Sequence, residues 1–227
     1  MNKHQRRLPA IAACVEGAVV ADIGTDHAYL PIALCLDGVV ARAIATDIHA
    51  KPLSRAKAHI AAHGLADRIE TRQGAGLSPL APGEADCCVV SGMGGLMIRD
   101  MLAADLPTAK AFRRLVLQPQ RDLYAVRLFL TTCGFTITKE IMLTEDGKFY
   151  NILVVQPGAE CTPYRETELH FGRHLLAEKN TCLCEWLVHE RGRVRAILQG
   201  LAGIESARKA ELTAYAAVCE EAAKWFG

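Results

Sequence analysis

Acidic, imidazole and phenol side chains crowd into one short stretch, Asp22-Ile23-Gly24-Thr25-Asp26-His27-Ala28-Tyr29, which begins at the end of the largely apolar run 19–23. Carboxylates there can balance a cation or accept from hydroxyls, an imidazole can carry a proton, and a phenol ring can stack on a base. Gly24 lets a ligand approach the backbone closely, and Asp47, about one strand-helix unit further on, is placed to accept from ribose hydroxyls. Together these suit a nucleoside-type cofactor. A dinucleotide needs more glycines so that its pyrophosphate can rest on the helix start, whereas this loop has one glycine followed by Asp26. A carboxylate there repels a pyrophosphate but suits S-adenosylmethionine, which carries a sulfonium and an ammonium group and no phosphate. A dinucleotide, or a helix-capping turn with no ligand, stays open as an alternative.

A second loop, Ser91-Gly92-Met93-Gly94-Gly95, follows a later apolar run, where a methyl acceptor would sit. It lacks the Asn/Asp-Pro-Pro-aromatic device for an exocyclic amine and the Pro-Cys nucleophile that attacks a pyrimidine, and Cys87-Cys88 lie inside the run. An acceptor with its own lone pair, such as a ring nitrogen, needs neither, because alignment for in-line displacement does most of the work. The glycines would make room for a flat base, although a tight turn without a substrate role is an ordinary alternative. Asp26 is the preferred polar group near the reacting atoms. His27 and Tyr29, read as the first turn of a helix, would point to different faces, with His27 packed and satisfied and Tyr29 stacking on a base or lining the cofactor pocket.

Alternating strand and helix patterns must position these loops. Strands are expected at 19–23, 39–48, 69–73, 87–91 and 114–117, and helices at 27–36, 96–103 and 121–133, with Gly38, Gly64 and Gly134 as helix stops and Pro52 in the first turn of an alanine-rich helix. Two β-rich runs, 135–143 and 148–155, flank Thr-Glu-Asp-Gly as an antiparallel hairpin. The fold class is α/β, a Rossmann-like class I methyltransferase sheet with a C-terminal helical, coiled-coil subdomain: a cofactor domain over 1–158 and a helical part over 159–227. In that tail, apolar seams at 183, 187, 190, 194, 197, 201, 204 and at 212, 215, 219, 222, 226 suit an antiparallel helical hairpin, weakened by Gly192, Gly200 and Gly203.

With 227 residues, 26 basic against 25 acidic groups and a net charge of +1, the global field does not draw the chain onto nucleic acid. The nine cysteines have no repeated spacing and are expected as free thiols; Cys182-x-Cys184 lacks a partner pair, so no metal is expected. No run of about 18 apolar residues spans a bilayer. The basic opening segment has only a short apolar stretch interrupted by Glu16, so a cytoplasmic protein is expected.

The chain resembles the bacterial tRNA (adenine-N1)-methyltransferases that modify adenine 22. The resemblance is carried by Arg7-Leu8, DIGTDHAYLP over 22–31, HGL over 63–65, SGMGG over 91–95, LVLQP over 115–119, LTEDGKFYNILVV over 143–155 and FGRHLL over 171–176. It implies S-adenosyl-L-methionine as cofactor and tRNA as partner. It places Asp22, Gly24, Asp26, Asp47 and Gly92 around the cofactor, and the full candidate set adds Arg7, Thr25, Ile48, Gly74, Ala75, Ser91 and Met93. Asp47 stands where some members have Glu, and Ala75 where relatives have Asn. Asp26, His27 and Tyr29 are the candidate catalytic group. Gly94, Gln118, Pro119, Arg121, Tyr150, Arg191 and Arg195 are candidate tRNA contacts, and Arg6, Arg113, Arg114 and Arg193 are further candidates for phosphate. A small-molecule methyltransferase and a non-catalytic tRNA-binding module are the rival readings.

Overall fold

The computed structural model describes residues 6–227, so the first part of the basic opening segment lies outside the described residues. The elements run α1 (Arg7–Ala12), β1 (Val19–Ile23), α2 (Tyr29–Leu36), β2 (Arg42–Asp47), α3 (Ala50–Ala62), β3 (Ile69–Gln73), β4 (Cys87–Met93), α4 (Gly95–Ala104), α5 (Leu106–Ala111), β5 (Arg114–Pro119), α6 (Leu123–Thr132), β6 (Phe135–Glu145), β7 (Lys148–Pro157), α7 (Glu166–Phe171), α8 (Arg173–Ala177), α9 (Thr181–Gly200) and α10 (Ala207–Ala223). The seven strands form one sheet in the order β3-β2-β1-β4-β5-β7-β6. β1 to β5 are parallel, and β7 runs antiparallel to both β5 and β6. This is the Rossmann-like α/β sheet with a hairpin edge. Strand order reverses between β1 and β4, which opens a crevice at their carboxyl ends.

The central strands bury both faces, so they read as apolar runs rather than alternations. One apolar layer joins α1, α2 and α3 to the sheet; the other joins α4, α5 and α6 to its opposite face. At the hairpin tip Asp146 and Gly147 both take positive φ, 49° and 71°, as a two-residue turn between twisted strands requires.

Several boundaries differ from the sequence reading, each for a local reason. α2 starts at Tyr29 rather than 27 because Asp26 and Ala28 are left-handed, with φ of 47° and 56°. β4 continues past 91 to Met93, slipping register against β5 between Ser91 and Met93, so the glycine stretch starts as a bulged strand end. β2 starts at Arg42, since the amides of Val39 and Val40 bond back to the Leu34 carbonyl. α1 and α5 went unforeseen, being six residues each, too short to show periodicity. α9 passes unbroken through Gly192 and ends at Gly200.

The helical tail packs Leu183 and Leu187 against Cys219 and Ala222, and draws Met142 of β6 into the same cluster. Glu190 sits in the apolar seam because the Tyr215 hydroxyl donates to it at 3.2 Å and Arg193 pairs with it. A buried ion pair joins tail to sheet. Arg127 of α6 and Glu140 of β6, each 1% exposed, meet at 2.8 Å. The Arg127 guanidinium also donates to the carbonyls of Leu169 and His170, and Glu140 accepts the His174 amide at 3.1 Å. Gly172 (φ 92°) passes so close that a Cβ there would stand 2.6 Å from the Glu140 carboxylate oxygens.

Removing one partner leaves the other charge buried and uncompensated, so Glu140→Ala is expected to destabilise the fold by about 3–5 kcal/mol, read from the midpoint of urea unfolding.

Candidate active site

The β1–α2 loop is tied to β2 by one oxygen: the amides of Gly24 and Thr25 both donate to the Thr46 carbonyl at 2.9 Å. Beneath it Asp22 is buried, with the Thr25 hydroxyl donating to its carboxylate at 2.7 Å. Burial pushes the Asp22 carboxyl up to about 6, and the Thr25 hydrogen bond only partly offsets this. No cation neutralises that carboxylate among the described residues.

Above the loop, the carboxyl ends of β1, β2, β3 and β4 surround a cavity of about 420 Å³. Gly24, Asp47, Ile48, Gly74, Ala75, Ser91, Gly92 and Met93 line it, bringing most of the expected cofactor residues into one place. Asp47 accepts the His49 amide on one carboxylate oxygen at 2.8 Å. Thr46, also in the lining, has a buried hydroxyl with no hydrogen-bond partner among the described residues. At Gly24 (φ 73°), a Cβ would stand 2.4 Å from Met93 Cε. The apolar side chains of Ile48 and Met97 are exposed at the mouth, suited to the two faces of a flat base. No lysine or arginine is in the lining. Of the expected cofactor residues, Asp22 and Thr25 lie beneath the lining rather than in it; the orphan Thr46 hydroxyl, the Asp47 carboxylate and the apolar side chains at the mouth fit S-adenosylmethionine and leave a pyrophosphate without a cation. A second cavity of about 760 Å³ shares Ala75, Gly76, Met97 and Met101 and extends to Arg121.

Sequence reasoning missed Ile23, Thr46, His49, Gly76, Met97 and Met101 as lining residues. Thr46 could have been found as the residue before Asp47, and Met97 as an apolar residue in the first turn after a glycine loop.

Asp26, His27 and Tyr29 stand at the rim, outside the cavity lining. His27 lies before the helix, so it does not oppose Tyr29 across a first turn; their ring centroids are 5.4 Å apart. Nor is His27 a buried, satisfied core histidine: its side chain is 35% exposed and its Nε2 lies 3.8 Å from Asp26. Tyr29 is 57% exposed. Arg7 does not line the cavity; its guanidinium covers the Tyr150 ring at 5.1 Å and its amide donates to Glu145 on the hairpin.

Among the candidate tRNA contacts, Gln118 and Pro119 are buried and present no surface; the Gln118 side-chain oxygen instead accepts the Gly92 amide at 3.2 Å and props the bulge. Gly94 caps α4 beside the Arg121 guanidinium, and Gly95 is glycine because a Cβ would meet the Arg121 carbonyl at 2.4 Å, a packing reason rather than room for a base. Arg121 is exposed, 3.5 Å from Asp122. Arg113 and Arg114 lie at the amino end of β5, the sheet edge opposite the cavity, where they meet Asp86 and Glu16. In the tail, Arg191 and Arg195 both face Glu220 and Arg193 pairs with Glu190. None of the nine cysteines is bridged. Among the described residues no His/Cys/Asp/Glu group could hold a metal, and no helix is long and apolar enough to cross a membrane.

The profile of a family described as tRNA (adenine(22)-N(1))-methyltransferase matches residues 20–221. A Bacillus subtilis (strain 168) protein with that same description is 34% identical over 202 residues, covering 87% of this chain and 85% of the relative. The crystal structure of the B. subtilis m1A22 tRNA methyltransferase superposes with a TM-score of 0.89 at 30% identity, over 98% of this chain and 100% of that one. A Streptococcus pneumoniae protein solved with S-adenosyl-L-methionine gives 0.87 at 30% identity, over 96% and 99%.

Because the folded Asp22 carboxyl titrates near 6 instead of the ordinary 3.8, it favours the ligand-free fold fully below pH 3.8, and that contribution is lost as pH rises through 6. Asp22→Asn is therefore expected to stabilise the ligand-free chain above pH 6 by on the order of 2–3 kcal/mol, with the advantage gone near pH 4. Thermal unfolding across that pH range reads it.

Proposed function

The chain belongs to the tRNA (adenine(22)-N(1))-methyltransferase family, and from that premise we propose how its own residues divide the work. It is an S-adenosylmethionine-dependent enzyme that methylates N1 of adenine 22 in tRNA. The cofactor supplies an electrophilic methyl group on a cationic sulfur. Asp47 holds the ribose hydroxyls, Thr46 offers its unpartnered hydroxyl, Ile48 and Met97 clamp the base, and Asp22 faces the ammonium group. The single observation that carries this assignment is the cavity at the strand switch point, glycine-opened and lined by Asp47 over buried Asp22, without lysine or arginine.

Adenine N1 is nucleophilic through its own lone pair, so no side chain needs to remove a proton before transfer. N1 lies on the Watson–Crick edge, and the base must leave any pair to reach the cofactor. Asp26, held out at the rim by its left-handed backbone, balances the positive charge that builds on the methylated ring. His27 and Tyr29 steady the incoming base. The chain works as two parts, 1–158 carrying the cofactor and 159–227 forming the helical hairpin, in the cytoplasm where tRNA is modified. The apolar cluster that α9 and α10 build around Leu183, Leu187, Cys219 and Ala222 supports that division, although Met142 of β6 joins it.

Incubating unmodified tRNA transcript with labelled cofactor, then analysing nucleosides, is expected to give 1-methyladenosine that disappears when position 22 is changed to guanosine; label at another atom would refute the reading. Asp47→Ala is expected to raise KM for the cofactor by about 10- to 100-fold, the worth of a hydrogen bond to a charged group.

A further inference from the structure

α3 carries Lys51, Arg55 and His59 at steps of four, His63 continues the spacing at its C-cap, and its sequence AKPLSRAKAHIAA contains no acidic residue. Residues four apart stack along one helix face, so these side chains form a basic and aromatic stripe. Among the described residues neither Lys51 nor Arg55 meets a carboxylate, and both are exposed. The upper end of the stripe is joined to the rim of the active site. His59 Nδ1 bonds the His27 carbonyl at 2.8 Å, and the Tyr29 ring stands 5.0 Å from the His59 ring, edge to face.

The three tail arginines contrast with this. Arg193 pairs with Glu190 and Arg191 with Glu220, which Arg195 approaches only to 4.0 Å, so two of the three charges are offset locally and a phosphate at either would have to displace a carboxylate. The tail arginines are among several candidate phosphate contacts in the sequence, but paired charge is a poorer anchor for a polyanion than the unpaired cations of α3.

We infer that tRNA lies along the exposed face of α3, with Lys51 and Arg55 on its phosphates and the Tyr29–His59 pair against an unpaired base; this rests on the reading of tRNA as substrate. The position suits the chemistry. An RNA strand on this stripe leads toward the β1–α2 loop, where Asp26 repels phosphate but tolerates a neutral base. Stacking on aromatic rings is how single-stranded or extruded bases are commonly held.

Lys57 supplies an internal control, because it lies about 200° around the helix from Arg55 and faces the β3 side beside Glu70. The test uses the full chain and an unmodified tRNA transcript, with binding read by fluorescence anisotropy over a salt series. Lys51→Ala/Arg55→Ala is expected to weaken binding on the order of tenfold at low salt and to make the slope of log affinity against log salt shallower by about two, one for each lost phosphate contact. Cofactor affinity, measured by calorimetry, is expected to stay that of the parent, and Lys51→Arg/Arg55→Lys to restore tRNA binding. Lys57→Ala and Arg191→Ala/Arg195→Ala are expected to bind as the parent does. An unchanged slope in the α3 double variant, or a loss confined to the tail variant, overturns the inference and leaves the methyltransferase reading intact. Failure of the parent chain to methylate any tRNA would instead overturn the substrate reading.

Discussion

One backbone oxygen organises the site. By accepting from both Gly24 and Thr25, the Thr46 carbonyl turns the chain sharply at the end of β1 and holds it against β2. The next residues then have little freedom: Asp26 and Ala28 are driven into left-handed conformations, which for non-glycine residues cost on the order of 1–3 kcal/mol each. The strain sits where the loop presents Asp26, His27 and Tyr29 to the rim, and the same pair of hydrogen bonds brings the Thr25 hydroxyl over Asp22. The cavity and the rim that carries Asp26, His27 and Tyr29 are thus two sides of one turn.

Charge is distributed by depth rather than by sequence. Asp47 stands on the β2 side of the cavity, and Asp22 is buried beneath the loop that borders it. Lysines and arginines stay outside it, and many are already satisfied within the protein, as Arg127 is by Glu140 and Arg191 by Glu220. A near-neutral total charge conceals this arrangement, since 26 basic and 25 acidic groups say nothing about which of them face one another.

The strand sequence and the cofactor loop were legible because central parallel strands are apolar on both faces and because glycine and aspartate have few reasons to recur after successive strands. The hairpin turn was legible from Asp146-Gly147, whose left-handed backbone those residue types favour. What depended on distant partners was not. Gln118 looked available for substrate and is buried under the bulge; Gly95 looked like room for a base and yields to a neighbouring carbonyl; Arg191 looked free and faces a glutamate almost thirty positions away. The left-handed conformation of Ala28, a residue type with no such preference, moved the helix start and with it the relation of His27 to Tyr29.

The weld between tail and sheet bears on how the two halves can be separated. Arg127 holds carbonyls on α7 while Glu140 holds an amide on α8, and Met142 belongs to the hairpin's apolar cluster. A chain cut after β7 would flood a dry ion pair with water and bare the greasy side of an edge strand. Grafting this hairpin onto a foreign methyltransferase would likewise require transplanting part of the sheet, because the packing that holds it is shared with β6.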